Sequence, residues 1–382
     1  MRALLKMIEG VGYRRMEFDK LEKEKKLVIY LSRLTFSDEI VAEARGILED
    51  KNMNWFEFYK FTMYHKVMSL CWRNINILFP NIFQPKYISD IVNGVYLTIM
   101  ERNKLYQTEI ERVRCALNAN GITVIPVKGA YLIPAMYKDY GIRYSGDADF
   151  LIKYDDLIGA EKIVKELGYI KGTYCPKNGT INPISRAEEI KWKSFMSNDH
   201  PLLKHSDTKL FPVYKLDFRY ALDDNLSKKP IEEILNTYVS NGKKTKVAHY
   251  LIHLCTHFYD EAKHSVDILL AKDLNIIKLC DIREYVIQFS SCEDLDELVC
   301  FAKKYGVERQ VYYTMFFLDI LYADGYEKRV MAKLGIENDF FLYTFGENTH
   351  KDDQVISIGI FERLFACGNM VGLVKTSGVF DA

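Results

Sequence analysis

Two aspartates one residue apart, running into an apolar stretch, constrain this chain more than any other segment: Gly146-Asp147-Ala148-Asp149-Phe150-Leu151-Ile152. Side chains of a strand alternate between its two faces, so Asp147 and Asp149 share one face while Ala148, Phe150 and Ile152 share the other. The apolar face fixes the strand against a core. Carboxylates about 7 Å apart on the opposite face form a platform for hard divalent cations such as Mg²⁺ or Mn²⁺ held against a polyphosphate.

The flanking sequence extends this block. Residues 122–127 (Ile-Thr-Val-Ile-Pro-Val) are β-rich and lead into Lys128-Gly129, and Arg143 stands four residues before Asp147. Residues 129–140 read as helical, and a helix capped by Asp155 or Asp156 follows, with Ile158, Ile163, Val164 and Leu167 as its apolar stripe. Gly168 ends it. Residues 171–212 are rich in Gly, Asn, Pro, Ser and charge, which predicts a substrate-covering insertion or a mobile flap. Residues 213–220 alternate again, with Tyr214, Leu216 and Phe218 on one side and Lys215, Asp217 and Arg219 on the other. Asp217 is then available as a third carboxylate, provided its strand neighbours that of Asp147 and Asp149.

Helical spacing dominates on both sides of the block. Upstream, Ser37 is placed to cap a helix, and Ile91, Val95, Ile99 and Leu105 recur at the spacing of another. Downstream, helical patterns run from residue 231 to 322, and short strands are expected at 340–345 and 354–360, with a weakly held tail at 371–380. The expected organisation is a helical region over 1–118, an α/β core over 119–225, a helical domain over 226–325 and an extension over 326–382. The fold class is α+β.

Charge excludes little but directs the search. Lys plus Arg and Asp plus Glu each number 52, so no overall basic field points to nucleic acid or to an anionic membrane. The eight cysteines are scattered without a two-residue spacing, which argues for reduced thiols and a cytoplasmic setting. No apolar run reaches the roughly 20 residues of a membrane span.

In this order, the motifs resemble those of the uncharacterised nucleotidyltransferase-like family within the DNA polymerase β superfamily. The pieces are Trp55 with His65, residues 121–132 ending in Lys128-Gly129-Ala130-Tyr131-Leu132, Arg143 through Ile152, His200-Pro201-Leu202, Leu216-Asp217-Phe218-Arg219, and the His-rich stretch 251–257 followed by 278–282. The resemblance implies a small mixed sheet like the polymerase β palm, flanked by N- and C-terminal helical regions. It implies transfer of a nucleoside monophosphate from an NTP, ATP among the candidates, to an acceptor that is a small molecule, a peptide or a protein, with release of pyrophosphate. Asp147, Asp149 and Asp217 would hold two Mg²⁺ or Mn²⁺ ions and carry the chemistry, and Lys128, Gly129, Arg143 and Ser145 would bind the nucleotide. Two departures stand out. Ala130 replaces the usual Ser or Gly, and the acid at 217 is displaced by one pleat period from its usual place, which predicts the same face at a different depth.

Those departures keep open a second reading, a catalytically inactive module that retains the fold for binding or regulation. A third reading, a toxin that adds nucleotides to tRNA, requires a concentrated basic face. His253 and His257, four apart on one helical face, could hold a metal, but the Glu a metalloprotease places after its first His is Leu254 here. They read as a packed or substrate-facing pair. Asp281 interrupts an apolar helix, and so either hydrogen-bonds to a neighbouring helix or lines the cleft.

Overall fold

The computed structural model describes residues 17–223, 226–269, 273–346, 354–356, 358–367 and 374–375. The chain begins with helices α1 (Lys23–Leu31), α2 (Asp38–Leu48), α3 (Trp55–Tyr64), α4 (Met68–Leu78) and α5 (Lys86–Ala119). An α/β stretch follows: β1 (Ile125–Val127), α6 (Gly129–Leu132), β2 (Ala148–Leu151), α7 (Leu157–Glu166), β3 (Ile170–Cys175), β4 (Thr180–Pro183), α8 (Arg186–Phe195), β5 (Leu202–His205) and β6 (Val213–Arg219). Helices then return as α9 (Lys229–Ser240), α10 (Val247–Lys263), α11 (Ser265–Leu269), α12 (Ile276–Phe289), α13 (Cys292–Tyr305), α14 (Glu308–Leu321) and α15 (Tyr326–Leu334). Short strands β7 (Thr344–Phe345), β8 (Gln354–Ile356) and β9 (Val374–Lys375) form a small antiparallel sheet, with α16 (Ile360–Leu364) between the last two. This is an α+β chain, as expected.

Two compact units result, one drawn from residues 1–92, 258–284 and 308–382, the other from 93–257 and 285–307. The second holds a six-stranded sheet of order β1-β2-β6-β5-β3-β4, in which only β2 and β6 run parallel. A parallel pair needs a long crossover. Residues 152–212 supply it, and they spend that length on α7, β3, β4, α8 and β5.

The alternation read from the sequence sets which face is buried. Ala148, Phe150, Ile152, Leu216 and Phe218 join Tyr106, Ile110, Val113 and Leu117 of α5 and Leu157, Ala160 and Val164 of α7 in one apolar core. Phe150 and Phe218 are fully buried with ring centroids 6.2 Å apart; burying each ring stabilises the sheet by roughly 1.5–3 kcal/mol. Helix α5 forms where the spacing predicts it, but its buried face is not the one those residues mark. Ile91 and Leu105 are exposed, and the buried positions beyond them include Arg102 and Asn103, which an apolar count cannot find.

Local signals fared unevenly. The Ser37 side chain accepts from the Ile40 amide and caps α2 as expected. Asp156 occupies the cap position of α7 but makes no side-chain cap bond, because a 3₁₀ turn over Tyr154–Asp156 precedes it. Residues 129–140 give only four residues of α-helix before a π turn over Ile133–Tyr137. Of the two expectations for 171–212, the mobile flap is not what forms: the segment is an insertion built into the sheet, with a β3–β4 hairpin, an α8 that starts with a Ser185–Glu188 capping box, and β5 paired to both β3 and β6. Residues 340–343 are a 3₁₀ turn rather than strand, and most of the tail at 371–380 lies outside the described residues.

The first unit is helical apart from the small β7–β8–β9 sheet, and it buries several polar groups in pairs. Arg363 donates to Asp273 at 2.7 Å, to the Tyr313 hydroxyl at 3.2 Å and to the Ala262 carbonyl at 2.7 Å. Glu284, fully buried, accepts from the Leu34 amide and the Thr35 hydroxyl. Burial pushes the His65 imidazole down to about 3, so it is neutral where it accepts from the Ile276 amide.

Candidate active site

On the face of β2 and β6 opposite the core, three carboxylates meet. The parallel register pairs Asp149 with Asp217 directly, so the two carboxylates stand level with each other. Asp147 lies just before β2, and one oxygen from each of the three falls within 4.8 Å of the others. Asp149 and Asp217 are buried, while the Asp147 side chain is about a third exposed.

Two lysines reach into this group. Lys128 donates to Asp149 Oδ1 at 2.8 Å, and the Lys215 ammonium lies 3.4 Å from Asp147 Oδ2 and 3.1 Å from Asp217 Oδ2. The count is three carboxylates to two ammonium groups, and Asp217 Oδ1 is buried without a hydrogen-bond partner. Burial pushes the Asp217 carboxyl up to about 7; Lys215 opposes the shift, and Asp147 and Asp149 add to it. Asp149 is also raised, by burial against the pull of Lys128. For Asp147, burial is outweighed by Lys128 and Lys215, and its carboxyl is lowered.

The donor set suits a hard cation: three carboxylates in reach of one point, one oxygen unsatisfied. A second acidic group, Glu161, Glu189 and Asp199, is equally close-set, and although both Asp199 oxygens lack a hydrogen bond of normal geometry, one buried ammonium is paired to all three acids. Buried Lys171 lies 2.5 Å from Glu161, 2.8 Å from Glu189 and 2.7 Å from Asp199, and Lys193 flanks all three. Burial, which lowers the Lys171 pKa, is overcome by its bonds to Asp199, Glu161 and Glu189, and the ammonium stays charged. That cluster is a structural cage.

Beside the triad, the residues after β1 meet the loop before β2. A Cβ on Gly129 would fall 2.1 Å from Ser145 Oγ, 2.7 Å from Ser145 Cβ and 2.7 Å from an Arg143 guanidinium nitrogen, so only glycine permits this approach. Lys128 takes φ +51° and ψ −130°, a region that glycine favours and that strains a lysine by about 1–3 kcal/mol. Four residues of α6 give little dipole, so close backbone approach, not a helix end, is what this corner offers. Ala130 packs into the core under the sheet, and the hydroxyl near Gly129 is that of Ser145.

Helix α5 holds this loop through residues the sequence did not single out. Arg102 donates to the carbonyls of Ser145 at 3.2 Å and Gly146 at 3.1 Å, and Asn103 donates to those of Tyr140 and Arg143, each at 2.7 Å. Lys215 was legible only as a strand residue, yet it bridges two of the acids.

The remaining candidates separate. His253 and His257 on α10 have nearly parallel rings 6.2 Å apart and belong to no cluster of metal-ligating side chains among the described residues. His253 is fully buried with neither ring nitrogen bonded; burial drives its pKa well down, and Arg219 and Lys128 push the same way. Asp281 belongs to the other unit, where it is buried on α12.

A family model described as an uncharacterised nucleotidyltransferase matches residues 51–323, which takes in every residue of the triad and its surroundings. No curated protein and no solved structure matches the chain.

Proposed function

The chain belongs to the uncharacterised nucleotidyltransferase family, and from that premise we propose that it moves a nucleoside monophosphate from an NTP onto an acceptor and releases pyrophosphate. The carrying observation is the triad itself, with three carboxylate oxygens within 4.8 Å and Asp217 Oδ1 buried but unsatisfied. Asp147, Asp149 and Asp217 are the residues that would hold Mg²⁺ or Mn²⁺. When bound, such ions neutralise charge developing on the phosphate oxygens and align the attacking and leaving atoms.

The protein's own groups divide the remaining work. Lys128 is assigned to the polyphosphate, its ammonium exchanging Asp149 for phosphate oxygens, with Arg143 as a forked donor and Ser145 as a neutral one. Gly129 lets the substrate approach the backbone. Asp217, the acid with a free oxygen, is assigned to the acceptor's proton.

Gly129→Ala tests the nucleotide corner. The added methyl cannot be accommodated by a flexible tip alone, since Ser145 Cβ is also in its way. Calorimetric titration with a non-hydrolysable NTP in the presence of Mg²⁺ should show binding weakened by about tenfold or more, near 1.4 kcal/mol. Unchanged affinity removes Gly129 and Ser145 from the nucleotide site.

One observation favours a second reading, a fold kept for binding without catalysis: Lys128 and Lys215 together contact all three acids. The readings part in a single experiment. Full-length protein is melted with ATP, CTP, GTP or UTP plus Mg²⁺ or Mn²⁺, and pyrophosphate release is followed in parallel. Stabilisation by at least one metal–NTP pair with pyrophosphate release is the expected result. With a protein-free small-molecule cell extract added as the source of acceptor, stabilisation without release supports the binding module, and no response to any pair defeats both.

A further inference from the structure

A cavity of about 590 Å³ opens next to the triad, with Gly146 and Lys215 on its wall. Apart from these its lining is largely apolar, including Ile99, Tyr144, Trp192, Leu203, Phe211 and Pro212. Much of it comes from the 171–212 segment, which explains why the crossover is so long. A volume of this size matches a small organic molecule.

Arg102 lines the same cavity, is 7 % exposed, and has its guanidinium carbon 4.3 Å, 4.6 Å and 5.0 Å from the ring centroids of Tyr106, Phe211 and Tyr144. Its Nε and Nη2 serve loop carbonyls, whereas Nη1 is buried without a partner. That nitrogen is closed off inside the protein, so what Arg102 offers a molecule in the cavity is its positive charge at the wall, which favours an anionic group nearby.

We infer that this cavity receives the acceptor, and that the acceptor is a small molecule with an apolar, ring-containing body, an anionic group held near the charge of Arg102 and a nucleophilic hydroxyl or amine directed to the triad. The inference rests on the transferase reading above. In-line displacement sets attacking and leaving atoms on opposite sides of the transferred phosphorus. Lys128, Gly129 and Arg143, assigned to the leaving polyphosphate, are absent from the cavity's lining. In the reaction the acceptor's oxygen or nitrogen bonds the α-phosphorus while the bond from that phosphorus to the bridging oxygen breaks. The electron pair leaves with pyrophosphate, and the acceptor's proton passes to a carboxylate and then to solvent. A nucleic-acid acceptor is disfavoured because the wall offers apolar surface and only two strong cations, rather than a track of them.

Anilinonaphthalene sulfonate, an apolar ring system bearing one anion, is a suitable probe with the full-length protein, without metal or nucleotide. One saturable site is expected, weakened at least tenfold in Leu210→Trp and in Thr173→Trp, two substitutions at exposed lining positions that can fill the cavity without disturbing the core. Arg102→Gln should weaken the sulfonate more than its uncharged analogue phenylnaphthylamine, a difference that general loosening of the fold would not produce. Saturating Mg²⁺–NTP should leave the probe bound. Competitive displacement by NTP would assign the cavity to the nucleobase and overturn the proposal, as would no probe site or one indifferent to both Trp variants. If the probe behaves as expected but no NTP binds, the transferase reading is what has failed, and the acceptor role goes with it.

Discussion

Asp149→Asn is expected to lower nucleotidyl transfer about a thousandfold while leaving the metal-free protein as stable as the parent, or more so. The two halves of that expectation have separate causes. In the metal-free state Asp149 is bonded to Lys128 at 2.8 Å and drawn more weakly by Lys215, and it sits with two other carboxylates whose oxygens come within 4.8 Å. At an effective dielectric constant near 20, two like charges at such a distance repel by about 3.5 kcal/mol. Burial and that repulsion win over Lys128, because the Asp149 pKa is raised. A carboxyl with a raised folded-state pKa is one whose ionised form the fold disfavours, so a neutral isostere relieves the fold. Catalysis needs the opposite, a charged ligand for a divalent cation. Losing a preorganised electrostatic stabiliser typically removes about 10²–10³ in rate, or roughly 3–4 kcal/mol. Pyrophosphate release and thermal melts on the same preparation measure both. Transfer within tenfold of the parent with every NTP would remove Asp149 from the chemistry, and a large fall in melting temperature would show its charge to be structural.

The triad shows what a sequence can and cannot disclose here. Asp147 and Asp149 were legible because a two-residue period assigns faces without any knowledge of partners, and the same rule put Asp217 on a definite side of its own strand. That β2 and β6 are parallel neighbours with Asp149 level with Asp217 was only a condition, since pairing between strands some 60 residues apart is decided by the whole crossover. The crossover hid its own structure. Strand β3 reads Ile-Lys-Gly-Thr-Tyr-Cys and carries a buried lysine where alternation predicts an apolar side chain, and β5 is only four residues long. Arg102 and Asn103 were missed for a related reason. They are polar residues buried on a helix because loop carbonyls await them, and periodicity counts only apolar ones.

Lys171→Met should destabilise the protein by about 3–5 kcal/mol, the range for removing one partner of a buried ionic group. Lys171 is 8 % exposed and sits within 2.8 Å of an oxygen on each of Glu161, Glu189 and Asp199, the last fully buried. Without the ammonium, Lys193 alone would face three carboxylates at 3.1–3.9 Å. A melting temperature about 10 °C lower is expected for a unit of this size. These acids lie on α7, on α8 and just before β5, while Lys171 is on β3, so the cage ties α7 to β3, α8 and the start of β5, the last three of which wall the cavity. The same variant tests the difference between the two acidic groups. With its lysine gone, the cage becomes three carboxylates faced by Lys193 alone, and Ca²⁺ or Mg²⁺ should recover part of the lost stability where it has no such effect on the parent's cage. A melt unchanged by the substitution would mean that the cluster is solvated rather than caged. It would also remove the physical ground for treating one acidic group as structure and the other as chemistry.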